Sequence, residues 1–88
     1  MPKYKVLFDK KYLKELVKIP KEIRSNIQDR VSGLSDNPRP DGAIKLQGSK
    51  KEPLYRIRCG DYRVIYAIKD DVLIVLVVDV GHRRDVYL

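Results

Sequence analysis

The hydrophobic residues in the first half of the chain change their spacing twice. Tyr4, Val6 and Phe8 alternate with Lys3, Lys5 and Leu7, a spacing of two that is typical of a strand. Beyond Asp9, which can cap a helix, apolar positions recur at helical spacing up to Pro20, a residue that helices tolerate only in their first turn. The pattern therefore predicts two helices that meet at Pro20. The second is expected to end near Ser35, and its apolar stripe consists of Ile23, Ile27, Val31 and Leu34.

In the second half of the chain the period becomes two. Short strands are predicted at 43–46, 54–58, 62–69 and 72–80, and their close connections favour antiparallel pairing. The last of these segments is apolar on both faces, so we expect it in the interior of the sheet, with the helices on one side and another cover on the other. The predicted fold class is α+β. It has an N-terminal strand and a helical hairpin packed on a mainly antiparallel four-stranded sheet, in a single domain over residues 1–88.

Composition and charge narrow the function classes. The 88 residues are 43% hydrophobic and 35% charged, which is typical of a globular chain. A net charge of +7 favours a polyanionic partner, although charge alone does not distinguish nucleic acid from an acidic protein. No apolar run approaches the roughly 20 residues of a membrane helix, and the start does not resemble a signal peptide, so a cytoplasmic protein is expected. With one Cys, one His and scattered Asp residues, neither a metal nor another cofactor is expected.

The strongest functional signal is a set of arginines around one predicted hairpin. A two-residue loop at Cys59 and Gly60 would place Arg56 opposite Arg63, with Arg58 on the same face. Opposed arginines repel each other, so a phosphate site explains them better than fold stability does. Two alternatives stay open, namely that the three side chains point into solvent or that the loop has another length. The other face would pack on the helices through Tyr55, Ile57, Tyr62, Val64 and Tyr66.

A second hairpin brings the C-terminal residues to the same end of the sheet. A loop at Asp70 and Asp71 would pair Lys69 with Val72 and set Arg63 near Val78. The last strand would then end beside the arginines. Its tail would bring a further group of polar side chains to that place, namely His82, Arg83, Arg84 and Tyr87.

These residues resemble a known family. The stretches LYRIRCGDYRVIYAI at 54–68 and VDVGHRRDVY at 78–87 are similar to the RelE toxins of bacterial and archaeal toxin–antitoxin pairs, within the RelE/ParE superfamily. The resemblance spans nearly the whole chain, including AIKLQG at 43–48 and the order of the elements. It implies a ribosome-dependent, metal-independent endoribonuclease. Such an enzyme cleaves mRNA in the decoding site, uses the substrate's own 2′-hydroxyl as the nucleophile, and is inhibited by a cognate RelB-like antitoxin.

The resemblance also implies roles for individual residues. Arg63 and Arg83 match arginines that stabilise the phosphate, and Tyr87 matches a tyrosine near the reacting nucleotide. Arg56 and Arg58 stand where the best-known member has lysines. Because arginine is effectively always protonated, these two can stabilise an anionic phosphorane but cannot readily remove a proton.

The remaining candidate site residues are a histidine and several cations. His82 is the only side chain with an ordinary pKa near neutrality, so it is a candidate proton carrier, although a His after Gly at a strand end is more often a surface or capping residue. The sequence stops one residue after Tyr87, so we expect no C-terminal helix and no inhibition through its displacement. Further cations that are expected to contact RNA are Lys45, Lys50, Lys51 and Arg84.

Two functions compete with mRNA cleavage. The ParE-like branch of the same superfamily inhibits DNA gyrase by binding and needs no catalytic residues. A basic module that binds RNA or a partner without catalysis is the third hypothesis. The motif around His82 and Tyr87 favours the RelE branch by resemblance alone.

Overall fold

The computed structural model describes residues 3–46 and 53–82, and within them it confirms the predicted α+β class. The chain runs in the order strand, helix, helix and four further strands. The elements are β1 (Lys5–Phe8), α1 (Lys10–Leu16), α2 (Lys21–Gly33), β2 (Ile44–Lys45), β3 (Leu54–Cys59), β4 (Tyr62–Lys69) and β5 (Ile74–His82). In this part of the chain no helix is long and apolar enough to cross a membrane.

The boundaries of both helices follow from the local signals in the sequence. The carboxylate of Asp9 accepts a hydrogen bond from the Lys11 backbone N–H at 2.9 Å, as expected of an N-cap residue. Pro20 is the N-cap of α2, and its carbonyl accepts the first helical bond from Arg24 at 2.9 Å. A proline has no N–H to contribute to α1, so the first helix ends before it. The predicted meeting point of the two helices is confirmed.

The described residues form one sheet of five strands, in the order β1-β5-β4-β3-β2. The prediction of four strands was wrong because β1 also belongs to the sheet. It pairs in parallel with β5, from Lys5 opposite Ile74 to Phe8 opposite Val77, whereas the other pairs are antiparallel. A strand that is apolar on both faces needs a neighbour at each edge, and β1 supplies the second neighbour for β5. The expected interior position of β5 is therefore confirmed.

The core lies between the helical hairpin and one face of the sheet. Of the predicted stripe in α2, Ile27, Val31 and Leu34 are almost fully buried and Ile23 is half-buried. Each fully buried aliphatic side chain contributes about 1.5–3 kcal/mol relative to an exposed one. The sheet side of the same core is formed by Ile57, Val64, Tyr66, Val75, Val77 and Val80.

The loop of the first hairpin is shifted by one residue from the predicted position. The turn residues are Gly60 and Asp61, so Cys59 pairs with Tyr62 and Arg58 pairs with Arg63. Gly60 has a φ of +61°, and it is the first residue of the turn. A two-residue turn with positive φ only at its first position favours glycine there, which explains the shift. The predicted pairing of Arg56 with Arg63 was wrong, because Arg56 lies opposite Ile65.

The second hairpin has a four-residue loop instead of the predicted two-residue loop. Lys69 pairs with Ile74 rather than Val72, and Leu73 in the loop has a φ of +54°. A tight two-residue turn at Asp70 and Asp71 would require positive φ without a glycine, which disfavours it. Farther along, a register shift between Ile65 and Tyr66 moves the pairing by one more residue.

The changed loop and the register shift together place Arg63 opposite Gly81 rather than near Val78. Such a bulge inserts one extra residue into β5. The side chains that follow it therefore point to the face opposite to the one that unbroken alternation would give them.

The turn at Asp70 is held by a polar cluster that joins distant parts of the chain. Arg39 donates two hydrogen bonds to the Asp70 carboxylate, at 3.2 and 2.7 Å, and its Nε donates to the Tyr55 hydroxyl at 3.3 Å. The Tyr4 hydroxyl donates to the same carboxylate at 2.6 Å. The hydrogen bonds from Arg39, and then the one from Tyr4, hold the pKa of Asp70 below its ordinary value. The cluster thereby attaches the loop after α2 and the start of β1 to the far end of β4.

This lowered pKa predicts an acid-sensitive contribution to stability. The stabilisation from Asp70 should be complete above its unfolded pKa of about 4 and should be lost as the pH falls through the lowered folded pKa. Asp70→Asn should therefore lower the urea midpoint at pH 7, and the difference from the unmodified protein should shrink below pH 4. Asp36→Asn is the control, because the Asp36 carboxylate and the Lys3 ammonium lie 3.7 Å apart with both side chains highly exposed. A difference for Asp70→Asn that stayed constant down to pH 2 would contradict the assignment.

Candidate active site

Three arginines lie on the sheet face that points away from the helices. Strand alternation puts Ile57 and Val64 in the core, so Arg56, Arg58 and Arg63 occupy the opposite face. We call this surface the arginine face. The prediction that the three residues share one face is confirmed, although the pairing between them differs.

Arg58 and Arg63 are directly opposed on neighbouring strands. The row continues to Gly81 on β5, which has no side chain to add to it. Like charges at opposed positions destabilise a sheet, by about 1 kcal/mol or less where solvent screens them. The fold therefore gains nothing from this pairing, whereas two neighbouring guanidinium groups suit an anionic ligand with several oxygens.

Arg56 lies in the next row, between Ile44 on β2 and Ile65 on β4. Ile65 is only 2% exposed although it faces away from the helices. The Nε of Arg56 is buried and makes no hydrogen bond within residues 3–46 and 53–82. A buried donor without a partner costs about 1–3 kcal/mol, so this N–H is available to a ligand at a cost to the free protein.

The alternative that all three arginines simply extend into solvent is wrong for two of them. Arg56 and Arg63 are half-buried, and the Nε of each is buried, whereas Arg58 is exposed. The aliphatic parts of the first two side chains therefore belong to the packed surface of the sheet. Their guanidinium groups have less freedom than a solvated arginine, which lowers the entropic cost of binding an anion.

Next to the arginines, the same face becomes apolar. One row crosses four strands through Leu54, Ala67, Leu76 and Leu7, which are successive partners in the sheet. Ala67 is buried, whereas Leu7 at the edge is 38% exposed. The arginine face is thus cationic at the end of the sheet near Gly60 and apolar toward the other end.

His82 lies on the other side of the sheet. It pairs with Tyr62, and the two rings meet edge to face with centroids 5.6 Å apart. Tyr62 packs against the helix-facing core, so the structure does not bring His82 together with Arg63. The expectation that His82 joins the arginines assumed unbroken alternation along β5, and the bulge opposite Ile65 and Tyr66 reverses it.

The other predicted site residues divide into two groups. Lys45 is exposed and pairs with Tyr55, which places it on the helix-facing side rather than on the arginine face. The end of β5 does reach the arginines, because Gly81 is the partner of Arg63. Five predicted residues lie outside the described ranges, namely Lys50, Lys51, Arg83, Arg84 and Tyr87. Within the described ranges, no group of three or more His, Cys, Asp or Glu side chains could hold a metal ion.

Sequence reasoning missed two concave surfaces. One is an apolar groove of about 420 Å³ between β1 and the helices, where Phe8 and Leu13 are each nearly half exposed. We call it the β1–helix groove. The other lies between α1 and the end of β5 and includes Tyr62, which the sequence indicated only as a core residue. Exposed apolar positions next to a helical stripe, such as Leu13, were the available signal for the groove.

Comparison with known proteins agrees with this architecture. Residues 6–87 match the family described as the ParE toxin of the type II toxin–antitoxin system parDE. The chain is 36% identical over 87 residues to a RelE-like toxin protein of Escherichia coli, covering 97% of this chain and 90% of that protein. It is 30% identical over 77 residues to the mRNA interferase toxin RelE of Escherichia coli K12, covering 88% of this chain and 80% of that toxin.

A solved structure shows the same fold. The archaeal RelE–RelB complex from Pyrococcus horikoshii OT3 contains a chain that superimposes with a TM-score of 0.82 at 30% identity, covering 96% of this chain and 99% of that one. The family match, the two relatives and this structure each cover most of the chain. This chain therefore belongs to the RelE family of type II toxin–antitoxin toxins, within the RelE/ParE superfamily.

Proposed function

We propose that this toxin is a cytoplasmic, metal-independent endoribonuclease that cleaves mRNA in the decoding site of the ribosome and so inhibits translation. The observation that carries the proposal is the arginine face, where Arg58 opposes Arg63 and a buried N–H of Arg56 has no partner within the described residues. The name of the similar toxin from Escherichia coli K12, an mRNA interferase, supports the same reaction class.

In the proposed reaction, the 2′-hydroxyl oxygen of one nucleotide attacks the adjacent phosphorus. The bond from phosphorus to the 5′ oxygen breaks, a base accepts the 2′ proton, and the departing oxygen takes up a proton. The products are a 2′,3′-cyclic phosphate and a 5′-hydroxyl end. Because negative charge builds on the phosphorane oxygens, guanidinium groups that are already in place stabilise the transition state more than the ground state.

The position of each arginine determines how it can stabilise the phosphorane. Arg63, half-buried in the middle of its row, is proposed to hold a phosphorane oxygen, with exposed Arg58 beside it. Arg56 contributes its buried N–H from the next row. None of the three can act as the base at neutral pH, and His82 lies on the other face. The proton must therefore go to Tyr87, which the family resemblance puts near the reacting nucleotide, or to a group of the ribosome.

The ParE-like alternative has one specific observation in its favour. The family match itself carries the ParE description, over residues 6–87. A toxin of that branch would inhibit DNA gyrase by binding, and the arginine face would then contact the gyrase or DNA rather than a scissile phosphate.

Expression from a tightly repressed promoter separates these functions. We expect new mRNA ends at codons within minutes of induction, with plasmid supercoiling unchanged. Altered plasmid topology without new mRNA ends would establish the ParE-like function instead. Growth inhibition with neither effect would leave a binding module without catalysis.

Cleavage is predicted to require the ribosome. Because the described site offers charge stabilisation but no efficient base, positioning of the substrate must provide much of the rate. Purified toxin should therefore leave naked mRNA nearly intact while it cleaves the same mRNA in a programmed ribosome. Primer extension on both substrates at equal toxin concentration measures the difference. Rapid cleavage of naked RNA at substoichiometric toxin would be inconsistent with this prediction.

Arg63 is predicted to matter more for the reaction than for the fold. Arg63→Gln should lower the single-turnover cleavage rate by about 100-fold, which raises the activation free energy by about 3 kcal/mol. The reason is that it removes a positive charge that stabilises the negative charge of the developing phosphorane. The family resemblance predicts a similar loss for Arg83→Ala. The free energy of unfolding of Arg63→Gln should be unchanged or higher by up to about 1 kcal/mol, since a like charge opposite Arg58 is gone.

The control for this experiment is Arg30→Gln, an exposed cation in the last turn of α2 and outside the sites described above. It should change the cleavage rate by less than about threefold. Full toxicity of Arg63→Gln and Arg83→Ala at normal protein levels would show that the arginine face has no role in the reaction.

A RelB-like antitoxin is the proposed partner, and part of it is predicted to occupy the β1–helix groove. The similar archaeal toxin was solved in complex with RelB. An acidic, amphipathic segment suits an apolar groove on a chain of net charge +7. The protein purified from its native operon should therefore carry a short acidic chain with it.

Two substitutions on α1 and at its end test the predicted contact. Leu13→Asp places a charge in the groove and should weaken antitoxin binding at least about 10-fold in a titration. Val17→Asp is the matched control, because Val17 is 67% exposed and does not line the groove. Equal effects of the two substitutions would place the contact elsewhere, and purification of the toxin without any small partner would exclude a stable complex.

A further inference from the structure

A second pocket lies at the end of the sheet where the arginine face is cationic, but on the opposite side. It has a volume of about 360 Å³ and opens between α1 and the last residues of β5. We call it the α1–β5 pocket. Its lining consists of Lys11, Glu15, Lys18, Ile19, Tyr62, Asp79, Val80, Gly81 and His82.

The charged residues of the pocket neutralise one another. The Nζ of Lys11 lies 3.1 Å from the Asp79 carboxylate, and the Nζ of Lys18 lies 3.0 Å from the Glu15 carboxylate. Asp79 is mostly buried and its other oxygen accepts a hydrogen bond from the Val80 N–H. Two lysines and two carboxylates sum to zero, so this pocket does not attract a phosphate as the arginine face does. An uncharged ligand with hydrogen-bonding edges suits it better.

The remaining walls are aromatic and apolar. Tyr62 and His82 are both half-buried, and their rings meet edge to face with an interplanar angle of 77°. Buried Ile19 and Val80 complete the apolar part of the lining. Planar heteroaromatic rings stack on tyrosine and histidine regardless of base identity, and such stacking is typical of sites for unpaired RNA bases.

The pocket and the arginine face are adjacent along the chain. Gly81 is the partner of Arg63, and the next residue, His82, is the partner of Tyr62. The two sites are thus separated only by the end of the sheet, where Gly81 and the turn residue Gly60 carry no side chains. An RNA strand with a phosphate at Arg63 can continue around this end and present a neighbouring base to the other side.

We propose that the α1–β5 pocket binds the unpaired base of a nucleotide next to the phosphate held by the arginine face. This inference rests on the proposed function for its substrate class, which is single-stranded RNA. Because the rings of Tyr62 and His82 are nearly perpendicular, the base stacks on the face of one ring and meets the other ring edge to face. The carboxylates of the two ion pairs accept hydrogen bonds from exocyclic amino groups. Binding there positions the RNA and makes Tyr62 and His82 positioning residues.

The single histidine of the chain provides a direct test. Its imidazole signals in a ¹H–¹³C spectrum of the purified toxin need no further assignment. The probe is a 2′-O-methylated RNA trinucleotide, which cannot undergo the proposed cleavage. We expect it to shift the His82 signals, and we expect the same trinucleotide without its three bases, or inorganic tripolyphosphate, to leave them unchanged. Unchanged His82 signals at saturating trinucleotide, or equal shifts with tripolyphosphate, would overturn the proposal.

Variants extend the test to affinity. His82→Ala and Tyr62→Leu should each weaken trinucleotide binding about 10-fold, and His82→Phe should restore most of the loss because it keeps a ring for stacking. Phe8→Leu, which alters an exposed ring in the β1–helix groove on the same side of the sheet, should have no effect. Equal affinity of His82→Ala and the unmodified toxin would contradict the stacking role.

The proposed reaction is measured separately with programmed ribosomes. Binding of the base at His82 in a toxin that cleaves no mRNA would refute the proposed function and leave the pocket assignment standing. If the toxin cleaves mRNA but the trinucleotide does not shift its His82 signals, the pocket assignment alone would be refuted.

Discussion

The positive φ of Gly60 determines which arginines meet. The turn accepts a left-handed residue at its first position, and that requirement makes Gly60 and Asp61 the loop of the first hairpin. With this register Arg58 opposes Arg63, whereas a loop one residue earlier would oppose Arg56 to Arg63. Because the two loops differ by two positions in the pairing, either one leaves Ile57 and Val64 in the core. The pairing of the arginines across the arginine face therefore depends on one backbone angle.

One face of the sheet packs against the helices, whereas the other carries the arginines. One face is filled by the helical hairpin, and the α1–β5 pocket opens on it toward the cationic end, beside Tyr62. The other face carries the arginines next to an apolar row that begins at Leu54 and ends at Leu7. Charge is concentrated where the sheet has no helix over it among the described residues. This arrangement keeps guanidinium groups out of the core while their aliphatic parts still pack on Ile65 and its neighbours.

Local signals in the sequence made the helices predictable, whereas the pairing between strands could be predicted only in part. The cap at Asp9 and the break at Pro20 act within a few residues, so the sequence alone indicates both helix boundaries. Loop lengths were harder, because Gly60 is compatible with two adjacent loops and a change of one residue alters every pair in the hairpin. The parallel pairing of β1 with β5 is non-local, and no short pattern specifies it.

In the candidate site, too, features set by local patterns could be predicted, whereas features set by strand pairing could not. Sharing of one face by Arg56, Arg58 and Arg63 required only strand alternation, so it could be predicted. The face of His82 could not, because a single bulge between Ile65 and Tyr66 reverses the alternation along the rest of β5. Bulges have weak sequence signatures, and this one changes the interpretation of His82 from a proton carrier to the wall of a pocket.

The parallel pairing of β1 with β5 has a consequence for biosynthesis. Lys5 is joined to Ile74, and Tyr4 to Asp70 across 66 positions, so the first strand has no partner until nearly the whole chain has been made. Pairing of such high sequence separation is slow, because the entropy of closing the long loop is lost before the contacts form. The nascent chain cannot complete its sheet during most of translation. The five-stranded sheet of the described residues is therefore among the last parts of the fold to form, because its β1–β5 edge closes only after β5 has been made.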